Sequence, residues 1–325
     1  MSVTFLSYSS RSGSTFVARQ LAERFDLLVV PETQLAYLVL SAHAGAIFDK
    51  ARIARLVRND PQIDWVGDRH LAQVPDRGLT PWAVLDLVVS AYADTKSVAT
   101  TDVLLKLGGI HRIWPQVRSH VDGARLLCVR RDGRAVVNSL LNSEAPYFDG
   151  STSMGYGDVV RSARRWAQTV RKQAALELEF GPAEVMSLEY SDVVERLDEV
   201  LGAVGDWAGW RAVSSASASF VVSPNETHIH KLVEAGPVPS REDAWRTELS
   251  RANRVVVEHF AGAELAAFGY PKFESIDTGE KYRLVAKALM AHYAIQMKFA
   301  VKRVRRVQSF GELIDKGVYF VRRRN

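Results

Sequence analysis

Short apolar runs alternate along this chain with longer stretches whose apolar positions recur every three or four residues. Val3-Thr4-Phe5-Leu6-Ser7-Tyr8 predicts a strand. The small-residue segment Ser9–Thr15 reads as a turn. Ser14–Phe25 reads as a helix, with Val17, Leu21 and Phe25 on one face. Leu27-Leu28-Val29-Val30 predicts a second buried strand, and the strand–helix–strand unit suggests a parallel, right-handed crossover. From about residue 34 to 100 the pattern is helical, broken at Asp60-Pro61, Pro75 and Thr80-Pro81. Val103–Lys106 and Arg125–Val129 read as further strands, and a helix is expected from about Ala135. Ser143–Asp158, rich in Gly, Ser and Pro, reads as a mobile loop. Helix Val159–Glu179, strand Glu184–Leu188 and helix Ser191–Val204 follow. Strands alternating with helices imply an α/β fold with a mostly parallel sheet and helices on both faces. In such sheets ligands sit at the carboxyl ends of the strands.

Four chemically loaded positions fall on that rim: the Arg11–Thr15 turn, Glu32, Lys106 and Arg131. The first is the most informative. A strand feeding a small-residue turn and then a helix aims backbone N–H groups at one point, at the positive end of the helix dipole. Arg11 adds a fixed charge and a donor fork. A phosphate or another tetrahedral anion fits such a seat. The Lys of a nucleotide triphosphatase loop is absent, which argues against that class. Trp65, Trp82 and Tyr92 either pack or line a substrate cleft. His228 and His230 alternate without Cys or carboxylate at ligand spacing, which disfavours a metal site.

Composition sharpens this picture in three ways. With 325 residues, 47% of them apolar, the chain can bury a sizeable core. The one cysteine, Cys128, lies in Leu126-Leu127-Cys128-Val129 and reads as a buried structural thiol. That, with no spanning-length apolar run and no basic leader, points to a reducing, cytoplasmic setting. The net charge of +5 is unevenly spread: Lys281–Asn325 holds twelve Lys/Arg against two acids, which leaves −5 for residues 1–280. A mildly acidic body disfavours a nucleic-acid partner.

The windows Arg11-Ser12-Gly13-Ser14-Thr15 and Arg131-Asp132-Gly133-Arg134-Ala135-Val136-Val137-Asn138-Ser139 each follow an apolar strand. In that order the chain resembles the sulfotransferases that use 3′-phosphoadenosine-5′-phosphosulfate (PAPS), most of all the branch with bacterial, carbohydrate and tyrosylprotein enzymes. Pro31-Glu32-Thr33, Lys106, Glu189-Tyr190-Ser191-Asp192-Val193-Val194 and Trp245–Pro271 agree in order and spacing. The resemblance covers residues 1–272 and implies a P-loop-like three-layer α/β/α domain. The helical stretch at about 34–100 would be a substrate-side insertion, and 273–325 a basic amphipathic extension.

The resemblance also implies roles. Arg11, Ser12, Gly13, Ser14 and Thr15 would hold the donor's 5′-phosphosulfate and Arg131 and Ser139 its 3′-phosphate; Tyr190 would either contact the donor or pack in the core. Arg131 is preferred over its neighbour Arg130. Ser143 stands where tyrosine-sulfating relatives carry a further Arg. Lys231–Arg246 would hold the loop over the donor. Glu32 would be the general base and Lys106 the support of the leaving oxygen, with Arg11 aiding both charges. A sulfuryl group carries less negative charge than a phosphoryl group, so no metal is expected. The acceptor would be a hydroxyl of a sugar, lipid-linked or other small molecule. A P-loop-like kinase and a non-catalytic nucleotide-binding protein of the same fold are the alternatives. In the tail, Tyr282, Val285, Leu289, Tyr293, Met297, Val301 and Val304 keep helical spacing among Lys and Arg. Docking on its own domain, on a second subunit, or on an anionic membrane surface all fit that pattern.

Overall fold

The computed structural model describes residues 2–60, 62–96, 102–147, 151–153, 157–213 and 240–306. Its centre is a five-stranded parallel sheet. The strands are β1 (Ser2–Tyr8), β2 (Leu28–Val30), β3 (Asp102–Lys106), β4 (Arg125–Arg130) and, last in the chain, Val185–Glu189. Two short strands precede that last one, β5 (Glu144–Tyr147) and β6 (Ser151–Ser153), so it is β7. The order across the sheet is β2-β3-β1-β4-β7. β1 and β2 are therefore parallel but not neighbours, because β3 lies between them.

Period-two alternation decides what each face of the sheet meets. Val3 and Phe5, Val103 and Leu105, Leu126 and Cys128 join one buried cluster with Leu85, Trp114 and Leu176. Leu6 and Tyr8, Leu104, Leu127 and Val129 join the other, against Phe16, Val17 and Leu21 of helix α1 (Ser14–Arg24). Lys106 keeps the parity of Leu104 and pairs in register with Leu6, so its side chain emerges on the α1 side.

Residues between β2 and β3 form α2 (Gln34–Leu40), α3 (Lys50–Asn59), α4 (Asp68–Ala72) and α5 (Pro81–Lys96), around a separate cluster of Leu35, Phe48, Ile53, Val84 and Val88. Trp65 and Tyr92 pack edge to face with ring centroids 4.8 Å apart, and the Trp65 indole N–H donates to the Val88 carbonyl at 3.2 Å. Trp82 is half-buried against the core. Their role in this structure is packing.

After α6 (Trp114–His120) and β4 comes α7 (Gly133–Asn142). It starts two residues before the expected Ala135, because Asp132 caps it and accepts from the Arg134 N–H at 2.8 Å. The expected loop Ser143–Asp158 instead contains the antiparallel pair β5–β6. Asp149-Gly150, a hairpin signal, sits between these strands in sequence. α8 (Val159–Phe180) leads to β7. The helix expected over Ser191–Val204 is divided into α9 (Tyr190–Glu195) and α10 (Leu197–Ala208). Arg196 leaves helical geometry at φ −133°, ψ 50°, and its guanidinium bridges Asp192 of one helix to Glu199 of the other. The described residues end with α11 (Ser240–Asp243), α12 (Trp245–Glu248), α13 (Arg251–Ala267) and α14 (Thr278–Arg306). α13 and α14 pack on α7 and α8 around Val136, Trp166, Trp245 and Val256.

Cys128 is fully buried, and burial pushes its thiol pKa up to about 12. His111 is buried too; its Nδ1 lies 2.9 Å from the Ser7 hydroxyl, and desolvation drives its pKa down to about 3. Both behave as core residues.

Candidate active site

The β1–α1 turn is shaped by two left-handed residues, Arg11 at φ 72° and Gly13 at φ 86°. Gly13 is the N-cap of α1 and supplies no side-chain cap, so the helix's first N–H groups are not satisfied from that position. No acid lies in the first turn. A Cβ on Gly13 would fall 2.1 Å from the Tyr190 ring, so only glycine admits this approach. Ser12 is fully buried, and its hydroxyl oxygen has no hydrogen-bond partner. A buried hydroxyl without a partner has hydrogen-bonding capacity to spare. Ser14 and Thr15 are buried at the helix start.

The two sequence windows meet in space. The Arg11 Nε donates to the Ser139 hydroxyl at 2.9 Å. An Arg131 Nη donates to the Arg11 carbonyl at 3.3 Å. The Arg131 guanidinium lies over the Tyr190 ring, 4.9 Å from its centroid. Tyr190 in turn packs edge to face on Phe16. Burial raises the Tyr190 pKa, against the opposing charge of Arg131.

Lys106 and Glu32 approach the same rim from β3 and β2. Lys106, 5% exposed, donates from Nζ to the Thr15 hydroxyl at 3.0 Å. Glu32 is exposed just past the end of β2, and the Tyr8 hydroxyl donates to its Oε2 at 2.8 Å. The Tyr8 ring lies 6.0 Å from the Lys106 ammonium. Tyr8 thus lies between Lys106 and Glu32, hydrogen-bonded to the second. The sequence reading left Tyr8 as a strand residue, although its place as the last residue of β1 was the available signal.

Arg130 and Arg131 part company. Arg130 is 7% exposed, pairs with Glu177 at 2.6 Å and lies over the Phe268 ring. Arg131 faces the β1–α1 turn and forms an ion pair with Glu242 at 2.7 Å. Burial raises the Glu242 pKa, while the Arg131 charge pulls it back. Glu242 belongs to the segment Lys231–Arg246; its residues 231–239, and His228 and His230 before them, lie outside the described residues. Ser143 donates to the Leu140 carbonyl at 3.1 Å.

Behind Arg131 stands a rigid frame that the sequence did not announce. The Arg134 side chain, 2% exposed, binds the Asp132 carboxylate at 2.7 Å, Glu258 at 3.1 Å and the Pro271 carbonyl at 2.8 Å. The Trp166 indole donates to the Arg131 carbonyl at 2.9 Å, and its ring closes on Gly133. Glu189 accepts from the Tyr270 hydroxyl at 2.6 Å.

An uncapped helix start, a buried Lys and a carboxylate thus share one sheet rim. The model described as the sulfotransferase family matches residues 9–214, and the chain belongs to that family. It is similar to the sulfotransferase domain from the Synechococcus PCC 7002 olefin synthase, at 21% identity, covering 83% of this chain and 95% of that one, with a TM-score of 0.50. That likeness speaks for the fold. The sulfotransferase domain from the curacin biosynthetic pathway is 14% identical over 88% of this chain and 96% of its own, with a TM-score of 0.49. The mouse sulfotransferase SULT7A1, solved with PAP, is 8% identical over 79% and 88%, at 0.38. No curated protein matches the chain.

Proposed function

We propose that this sulfotransferase takes its sulfuryl group from PAPS and delivers it to a hydroxyl of a sugar, lipid-linked or other small-molecule acceptor. When bound, PAPS supplies an activated sulfuryl group on a phosphate leaving group. The chain's residues fit that donor: the orphaned Ser12 hydroxyl and the Gly13 approach suit an anion's oxygens, and Arg131 with Tyr190 suits a nucleotide phosphate.

The Ser12–Thr15 turn would hold the 5′ end through backbone N–H groups and hydroxyls. Arg131 and Ser139 would hold the 3′-phosphate, Arg131 through its planar fork. Lys106, already hydrogen-bonded to Thr15, would stabilise charge on the departing oxygen, and Arg11 would add to that field. Glu32 would take the proton of the acceptor hydroxyl as that oxygen attacks in line, a step handled by analogy with phosphoryl transfer. Tyr8 would orient Glu32 through its 2.8 Å hydrogen bond.

The observation that carries the reading is the convergence of Lys106, Thr15, Tyr8 and Glu32 on the α1 side of the sheet rim. The test is transfer of labelled sulfuryl from PAPS to a panel of hydroxylated acceptors. Glu32→Gln is expected to cut turnover by about 10²–10⁴-fold with PAP affinity unchanged. Wild-type turnover in that variant would remove Glu32 from the role.

A further inference from the structure

The sequence pattern placed the apolar residues of the C-terminal helix on one face, and the structure divides them between two. Ala288 and Leu289 pack against the α7–α8–α13 cluster, and Val285 is buried. His292 Nδ1 lies 2.6 Å from the Asp158 carboxylate, which caps α8, and the Gln296 amide donates to the same oxygen at 3.4 Å. The helix is therefore docked on its own domain along that face. Docking leaves a second stripe uncovered. Tyr282, Met290, Tyr293, Met297 and Val301 are five of the eight exposed large hydrophobics among the described residues. At 3.6 residues per turn they share an arc of about 100°. Val304's side chain lies outside the described residues.

The residues beside this stripe decide what covers it. Arg283, Lys287 and Lys298 are exposed on its flank. From Lys281 to Arg306 the sequence holds eight Lys/Arg and no acid. A second copy meeting the first through this face would set two strongly positive helices together. A nucleic acid would satisfy the charges but give the Met and Val positions nothing to bury against. An anionic bilayer surface satisfies both, because its headgroups are negative and its acyl boundary is apolar. No helix among the described residues is long and apolar enough to cross a membrane, so the contact would lie in the interface plane.

We propose that α14 is an interfacial membrane helix that seats Tyr282, Met290, Tyr293, Met297 and Val301 in the headgroup boundary of an anionic bilayer. The basic flank then rests on lipid phosphates. This inference does not depend on the donor or the acceptor of the reaction.

Co-sedimentation of the full chain with vesicles tests it, using phosphatidylcholine alone and phosphatidylcholine mixed with phosphatidylglycerol. Pelleting is expected with the mixed vesicles only, and is expected to fall as salt rises. Lys287→Ala with Lys298→Ala should weaken the partitioning by about thirtyfold. Tyr293→Ser with Met297→Ser should abolish it, with circular dichroism and PAP binding unchanged. The proposal is overturned if the full chain pellets with neither vesicle, or equally with both. It is also overturned if the charge-removing pair leaves pelleting intact, or if the chain is a dimer that Tyr293→Ser/Met297→Ser dissociates. Absent PAP binding in a chain that still pellets would strike the donor reading alone.

Discussion

The turn after β1 and the turn after β4 do the same topological job and are built in opposite ways. Each leaves a central parallel strand and opens a helix. The first starts α1 from a glycine with no side-chain cap and no acid in the first turn, and buries a hydroxyl without a partner among the described residues. The second starts α7 from Asp132, whose carboxylate caps the helix and holds the buried Arg134. One turn thus keeps its helix dipole available for an outside anion, while the other has an anion built in. The second turn places the Arg131 guanidinium against the β1–α1 turn and the Tyr190 ring, while Trp166 holds the Arg131 backbone carbonyl. The contrast separates grip through backbone and hydroxyls from grip through a placed charge.

The largest way to break this contrast is to remove the built-in ion pairs. Arg134→Ala leaves Asp132 and Glu258 without their buried partner and is expected to cost about 3–5 kcal/mol, read by denaturant unfolding. A loss below about 1 kcal/mol would mean that the second turn is not framed this way. Gly13→Ala comes next. It forces a Cβ into the Tyr190 ring at φ 86°, at a cost of about 2–4 kcal/mol, and PAP binding should vanish with it. Adding Tyr190→Ala should relieve the clash but not the backbone strain, so only part of the stability should return.

The adjacent arginines sharpen the comparison further. Arg130→Ala should lower stability by about 1–3 kcal/mol, because Glu177 loses a close partner, while PAP affinity stays near wild type. Arg131→Ala also loses a close ion pair, with Glu242, but should in addition weaken PAP by about 10–100-fold, so PAP affinity and not stability separates the two variants. The smallest effect is expected from Glu242→Gln. Glu242 occupies the guanidinium that the 3′-phosphate would use, so removing its charge should tighten PAP binding a few-fold in calorimetry.

Much of this was legible in the residues because it is local. The β1–α1 turn announces itself by an apolar strand, small residues and a helix, and the parallel sheet by short apolar runs that alternate with helices. The missing parts depend on distant chain. Tyr8 gains meaning only when β3 brings Lys106 beside it and the residues after β2 bring Glu32. Arg134 is drawn inward by Glu258, 124 positions away. Glu242 reaches Arg131 from a segment with no regular pattern of its own. The β5–β6 pair was hidden because it lies in a segment, 143–158, whose Gly, Ser and Pro content looks like a loop. The face of α14 divides because both of its apolar edges keep helical spacing, and only packing on α8 and α13 tells them apart.

The central claim is that two differently built turns hold the two ends of one adenosine donor. Calorimetric titration with adenosine 3′,5′-bisphosphate and with adenosine 5′-monophosphate, on wild type and on Arg131→Ala, tests it most directly. The account predicts that the 3′-phosphate strengthens binding to the wild type by about 10–100-fold and adds little in the variant. An equal gain in both proteins, or no binding of the bisphosphate by folded wild type, would contradict it.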